Sequence, residues 1–487
     1  MKTICWVQHA SEGTLFSELA KLLEQRGYKS VFVCKTYAAH QEYVRQGRTS
    51  FFVSTEIFNK ALSIDQEQFR SISDTYGTPS IQSIVDSDVH MEVLFPGDRM
   101  SQYAVVASAY MFWESFLDEH AVDYIVCRET ATFLTRTAYS TAVKKSIPYG
   151  QIMYGPAQGH CLLCDVGELH IWSELTNFVD EGLKVISTKQ HFDVDAFVKV
   201  RLPDTSKKMA LRFVPMSLMQ SIRRYLGFIW HDTHALMSTD PIHLATLRYG
   251  KQRLMKQVRW KYITQYLFSY DALADGESFA YFPFYSGLET SYLTQTPYWA
   301  RNEVSLIKEV ARKLPVGMFL YVKEHPHNPG DFSYSKLREL QQTSNIKVIQ
   351  PEVSSQFLIQ ESKVVVTIQG TAGWEAFLTK KPVVCIDAVA FYALSSLVYV
   401  VENISSLEEV LKRAISEGGT HYRSKIDEWY WFIYGVISTM GTGDIVNLIP
   451  PYGFVTDRKS VNALAGFIDK TYRFRHSSSV PEEKKEK

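Results

Sequence analysis

Two short passages hold most of the residues that could handle a phosphate. Tyr321-Val-Lys-Glu-His-Pro326 and Val364-Val-Val-Thr-Ile-Gln-Gly-Thr-Ala-Gly-Trp-Glu-Ala376 each start as an apolar run of strand length and end in polar residues. In the second, Gly370 and Gly373 bracket a turn, and Trp374-Glu-Ala-Phe-Leu378 has helical spacing. A buried strand that passes through a glycine turn into a helix leaves backbone N–H groups unpaired at the helix start. Those groups, with the helix dipole, favour a phosphate. Lys323, Glu324, His325, Gln369, Gly370 and Thr371 stand at these two strand ends. Ser354 and Ser355 open the helix after a third strand, Ile346-Lys-Val-Ile-Gln-Pro351. Glu375 lies one helical turn beyond Thr371 on the same face, where its carboxylate could accept from ribose hydroxyls. The bland alternative is a strand–glycine–helix corner with no ligand, and a His-Pro pair that merely ends a strand. Three successive strand ends carrying phosphate-compatible groups favour a nucleotide site.

A second set of polar residues follows strands of the N-terminal half. The loop Gln8-His-Ala-Ser-Glu-Gly-Thr14 contains His9 and Glu12, and Arg128-Glu129-Thr130 follows the apolar run Val122–Cys127. A carboxylate or imidazole at such a strand end could take a proton from a hydroxyl nucleophile. Glu129 leads this group, with Glu12 and His9 behind it. Against that, Ser11 or Thr14 would serve as a helix cap, and Arg128 and Glu129 as a pair capping the next helix. His160-Cys-Leu-Leu-Cys164 has one Cys-x-x-Cys and no second pair at ligand spacing, so no metal site is expected.

The elements that must position these residues follow from period. Thr3–Val7, Thr14–Arg26 and Lys29–Cys34 read as strand, amphipathic helix and strand, and Gln102–Glu119 as a long helix. Gln41–Pro96 gives only mixed short elements, and Tyr154–His160 reads as a loop beside a cleft. From Ser278 the alternation is regular. Strands at Phe279–Phe284, Met318–Lys323, Ile346–Gln350, Val364–Ile368 and Val383–Ile386 are separated by helices, which predicts a doubly wound sheet. Ligands of such sheets bind beyond the carboxyl ends of the strands.

At 487 residues, 46% hydrophobic and 21% charged, with a formal net charge of zero, the chain reads as globular and carries no global field for nucleic acid. The six scattered cysteines read as reduced core thiols, and no apolar run reaches membrane-spanning length, so a cytoplasmic location is expected. Charge is lopsided in one place. Residues 201–262 hold twelve Lys and Arg against Asp204, Asp232 and Asp240, interleaved with aromatic and aliphatic residues. That segment could dock on an anionic inner-membrane surface or an anionic glycan, or could be a solvated helical connector.

The order Tyr281-Phe-Pro-Phe, Leu288-Glu289, Lys323-Glu-His-Pro326, Gln369-Gly-Thr-Ala-Gly-Trp-Glu-Ala376, Lys381-Pro382 and Phe391-Tyr392 resembles the capsular polysaccharide biosynthesis family. That family includes transferases of Kdo, an acidic sugar, and its His-Pro motif is similar to the one bacterial sialyltransferases use for CMP. The resemblance covers residues 278–395. It implies a GT-B fold, two Rossmann-like domains facing across a cleft, with the donor in the C-terminal one and no metal or other cofactor. It also adds Glu289 to the donor site. Where the family usually shows Gln-Pro-Glu, this chain has Ser286-Gly-Leu-Glu289 and keeps only the acid. The domains expected are 1–200 for the acceptor, a basic helical connector at 201–270, the nucleotide-sugar domain at 271–445, a crossover helix at 446–475 and a disordered tail at 476–487. The expected partners are a nucleotide-sugar donor of CMP type and a glycan or glycolipid acceptor. A nucleotide-sugar epimerase and a non-catalytic assembly or export protein are the other readings.

Overall fold

A computed structural model of the chain describes residues 1–8, 12–61, 64–77, 80–88, 91–156, 159–165, 171–202, 265–285, 296–324, 330, 332–443 and 457–478, with single positions between 219 and 259. Two compact units result, the first mainly from residues 1–168 and 440–487, the second mainly from 169–237 and 246–439.

The first unit opens with β1 (Lys2–Gln8), α1 (Gly13–Glu24), β2 (Tyr28–Cys34), α2 (Tyr37–Arg45) and β3 (Thr49–Phe52). After Thr3, β1 is apolar on both faces up to Gln8 and buried throughout, as a central parallel strand covered on both sides must be. α1 buries Leu15, Leu19 and Leu23, one per helical turn. Several short helices lead to α3 (Arg99–Glu119), followed by β4 (Val122–Cys127), α4 (Phe133–Lys144), β5 (Tyr149–Tyr154) and β6 (His160–Cys164). β3, β2, β1, β4 and β5 are parallel neighbours in that order. Chain order therefore reverses direction between β1 and β4, the switch point at which doubly wound sheets open a crevice.

The stretch Gln41–Pro96, read as mixed short elements, holds the end of α2, the four-residue β3 and several short helices. The passage Tyr154–His160, read as a loop after a strand, joins β5 to a strand not expected from the sequence: β6 runs antiparallel to β5, and Gly155 N–H donates to His160 O at 2.8 Å. Cys161 and Cys164 are buried in that strand as free thiols, and among the described residues no cluster could hold a metal ion.

The second unit contains α5 (Ser173–Asp180) and α6 (Thr188–Arg201), both read from sequence as part of the N-terminal half. Its sheet alternates β7 (Phe279–Pro283), α7 (Glu303–Arg312), β8 (Phe319–Lys323), α8 (Tyr334–Gln341), β9 (Ile346–Ile349), α9 (Ser355–Glu361), β10 (Val364–Thr367), α10 (Thr371–Leu378), β11 (Val383–Ile386) and β12 (Tyr399–Val401). The strand order is β12-β11-β10-β7-β8-β9, all parallel, with its switch point between β7 and β10. α11 (Leu407–Ser424) and α12 (Ile426–Thr439) follow. Both Rossmann-like units expected of a GT-B chain are thus present.

The chain then returns to the first unit. β13 (Gly441–Thr442) pairs with β6, and α13 (Arg458–Ser478) packs Val461, Leu464, Ala465 and Ile468 among the buried side chains of α1. Arg475, buried in α13, reaches Asp165 Oδ2 at 3.1 Å and donates to the Tyr149 and Leu163 carbonyls of β5 and β6.

Candidate functional site

In the second unit the rim of the switch point is tied together by one hydroxyl. Tyr285, just past β7, accepts from the N–H groups of Ile368 and Gln369 at 3.1 and 2.9 Å and also meets Thr367 Oγ and the Gln369 carbonyl. β10 is thereby fixed where it ends. Gly370 follows with φ of 100°, a conformation open to glycine and strained for any other residue, and α10 begins with no side-chain cap. Gly373 has a packing reason: a Cβ there would lie 2.3 Å from the Tyr392 hydroxyl and 2.8 Å from Thr367 Cγ2. Gly370 and Thr371 are exposed at this open helix start. Beside them the Gln369 amide is 5% exposed, and neither its nitrogen nor its oxygen has a partner. A buried amide left unpaired is costly and points to a ligand or an ordered water.

The other expected residues divide by what they touch. Lys323 is level with Pro283 of β7 across the sheet, is buried, and its Nζ donates to the Pro351 carbonyl at 3.4 Å. Burial lowers its pKa to about 8, against the opposing pull of Glu352 and Glu375. Glu324 is committed to its own loop, accepting from Gly330 and Phe332 N–H at 3.2 Å each, which makes it a brace for the strand end. Ser354 accepts from Phe357 N–H at 3.4 Å and starts α9, while Ser355 accepts from the buried Tyr281 hydroxyl at 3.3 Å. Glu375 is largely buried and pairs with Arg201 at 3.4 Å. Glu289 and His325 lie outside the described residues.

In the first unit the register places Gln8, Cys34 and Cys127 near one level at the carboxyl edge of β1, β2 and β4. Glu12 is buried just before α1, and Glu129 is exposed just past β4. His9 lies outside the described residues. Capping of α4 by Arg128 and Glu129 does not occur: Asp88 Oδ2 accepts from Phe133 N–H at 2.7 Å, and Arg128 turns to the Tyr154 hydroxyl at 2.8 Å.

Sequence reasoning missed Lys35. It follows β2 directly, its N–H donates to Gln8 O at 3.1 Å, and its side chain is buried. Burial lowers its pKa, opposed by the charges of Asp88, Glu12 and Glu129. The signal was available: a lysine closing an apolar strand next to the loop already singled out. Arg201 was read only as part of the basic segment.

Residues 300–406 match the family model described as capsule polysaccharide biosynthesis protein, a span that includes β8 to β12 and the α10 start. No curated protein matches the sequence. Among solved structures, the chain is similar to Thermosulfurimonas dismutans KpsC, a beta Kdo 2,7 transferase, at 11% identity over 78% of this chain and 95% of that one, with a TM-score of 0.36. It is also similar to UDP-GlcNAc 2-epimerase from Neisseria meningitidis bound to UDP-GlcNAc, at 13% identity over 97% and 100% with a TM-score of 0.29. S. aureus MnaA in complex with UDP is a third, at 11% identity over 99% and 98% with a TM-score of 0.31. The architecture itself rests on the two strand orders given above.

Proposed function

We propose that the protein is a glycosyltransferase of bacterial capsule or surface polysaccharide synthesis, acting on a nucleotide-sugar donor and a glycan or lipid-linked acceptor. The observation that carries this reading is the open start of α10 at the switch point, with Gly370 and Thr371 exposed, the Gln369 amide unpaired, and Lys323 buried at the end of β8 as a cation. The family match over residues 300–406 supports the capsule context. In the mechanism, the helix start and Lys323 stabilise the departing nucleotide phosphate, and His325, Ser354 and Ser355 supplement them. A carboxylate of the first unit, Glu129 or Glu12, or else His9, deprotonates the acceptor hydroxyl. The donor favoured is a CMP-activated acidic sugar such as Kdo, with Glu289 also on the donor. Backbone N–H groups and cations supply the positive charge, so transfer is expected to survive excess EDTA; loss restored by a divalent ion would overturn that part. Among the described residues no helix is long and apolar enough to cross a membrane. A cytoplasmic protein touching the inner membrane through 201–262 fits this reading.

The test is thermal stability against a panel of CMP-, UDP- and GDP-sugars. A ligand at a hundredfold its Kd adds about 2.7 kcal/mol, a clear melting shift. Stabilisation by a UDP-sugar that is then interconverted without acceptor would favour the epimerase; glycan binding with no transfer from any donor would favour the assembly protein.

Lys323 gives this site a pH signature. Its ammonium attracts phosphate only while protonated, so nucleotide affinity is expected to hold below about pH 8 and to weaken as pH rises through that value. Calorimetry at pH 7 and pH 9 checks it, and Lys323→Met should show no such loss.

A further inference from the structure

Arg201 reaches Glu375 through three helices. α6 starts at a capping box in which Ser187 N–H donates to Gln190 Oε1 at 2.6 Å and Ser187 Oγ accepts from Gln190 N–H at 3.4 Å. It leans on α12, where Tyr430 donates to Asp195 at 3.0 Å and the His191 ring lies 4.3 Å from the Tyr430 ring. α12 is tied to α10 by Trp429 Nε1, which donates to the Phe377 carbonyl at 2.9 Å. The last residue of α6 is thus brought to α10, where Arg201 Nη2 meets Glu375 Oε1 at 3.4 Å, the two side chains 24% and 13% exposed. Arg201 from α6 is the cation paired with Glu375, the charge of Lys323 at the end of β8 also acts on it, and the Tyr281 hydroxyl of β7 is committed to Ser355 Oγ.

We propose that Arg201 is a positioning residue of the nucleotide site: it anchors one carboxylate oxygen of Glu375 and leaves the other to accept from the ribose hydroxyls of the bound nucleotide. The inference rests on the nucleotide reading of the α10 start. It adds a residue outside the family match and gives the site a preference for ribonucleotides. Burial raises the Glu375 carboxyl above its ordinary range, and Arg201, then Lys323, pull it back down. Without Arg201 the carboxylate loses its anchor and takes up a proton at a higher pH.

The experiment uses the full chain, calorimetry, and two pairs of probes: CMP with 2′-deoxy-CMP, and UMP with 2′-deoxy-UMP. The unmodified protein should prefer the ribo form of its base roughly tenfold, the value of one hydrogen bond to a charged acceptor. Glu375→Gln and Arg201→Met should each reduce that preference to about twofold, and Arg201→Lys should restore part of it. In the unmodified protein the preference fades as falling pH protonates Glu375; in Arg201→Met it should fade at a higher pH. An Arg201→Met protein that keeps the full preference overturns the inference. So does one that weakens ribo and deoxy forms equally, because Arg201 would then be serving the phosphate. Failure of the unmodified protein to bind any of the four probes overturns the pyrimidine-nucleotide reading of the site, a separate result.

Discussion

Glu129→Gln should leave nucleotide affinity unchanged within about twofold and lower transfer at least about a hundredfold, the low end of general-base catalysis. That loss corresponds to roughly 2.7 kcal/mol in the barrier. Gln keeps the size and hydrogen-bonding capacity of the side chain and removes only its basicity, so binding and chemistry separate. Glu129 is exposed at the carboxyl edge of β4, beside the first unit's switch point, and the helix cap that would have occupied it is supplied by Asp88 instead. Steady-state transfer and calorimetric donor binding, measured on the same preparation, check the expectation. Full activity in Glu129→Gln with loss in Glu12→Gln would move the role to the buried carboxylate before α1.

The second large effect concerns folding. Arg475→Met should destabilise the first unit by about 3–5 kcal/mol, the range found when one member of a buried ion pair is removed. Methionine fills the space, but it removes the guanidinium from Asp165, whose side chain is 14% exposed, and takes one donor from each of two strand carbonyls. Urea unfolding followed by first-unit tryptophans, Trp6 and Trp113, should show the earlier transition. Nucleotide binding by the second unit should persist below it. A change under 1 kcal/mol would mean that water replaces the guanidinium at no cost.

How much of this was legible in the sequence depended on how local each signal was. β8, β10, β11 and the glycine start of α10 announce themselves because an apolar run, a glycine and a helical period lie side by side. The strand ends, and so the residues at the rim, followed from parallel topology. Arg201 did not, because its partner is brought to it by α12, and α6 carries no apolar stripe to fix its facing: Val194 is buried while Phe192 and Val200 are exposed. Lys35 was hidden for a similar reason, since only the pairing of β1 with β2 and β4 brings the end of β2 to the same sheet edge as the residues that precede α1 and follow β4. β6 was obscured by its short antiparallel return, a hairpin whose turn residues looked like an open loop.

The return of β13 and α13 to the first sheet has a bearing on the order of synthesis. When residues 1–168 have emerged from the ribosome, five parallel strands and the antiparallel β6 are out, yet β6 still lacks its outer neighbour and α1 still shows water the face that α13 covers. The second unit has every strand of its sheet once Val401 emerges. The half made first should therefore be completed last: once the chain has emerged as far as residue 440, the second unit is whole while the first still lacks β13 and α13.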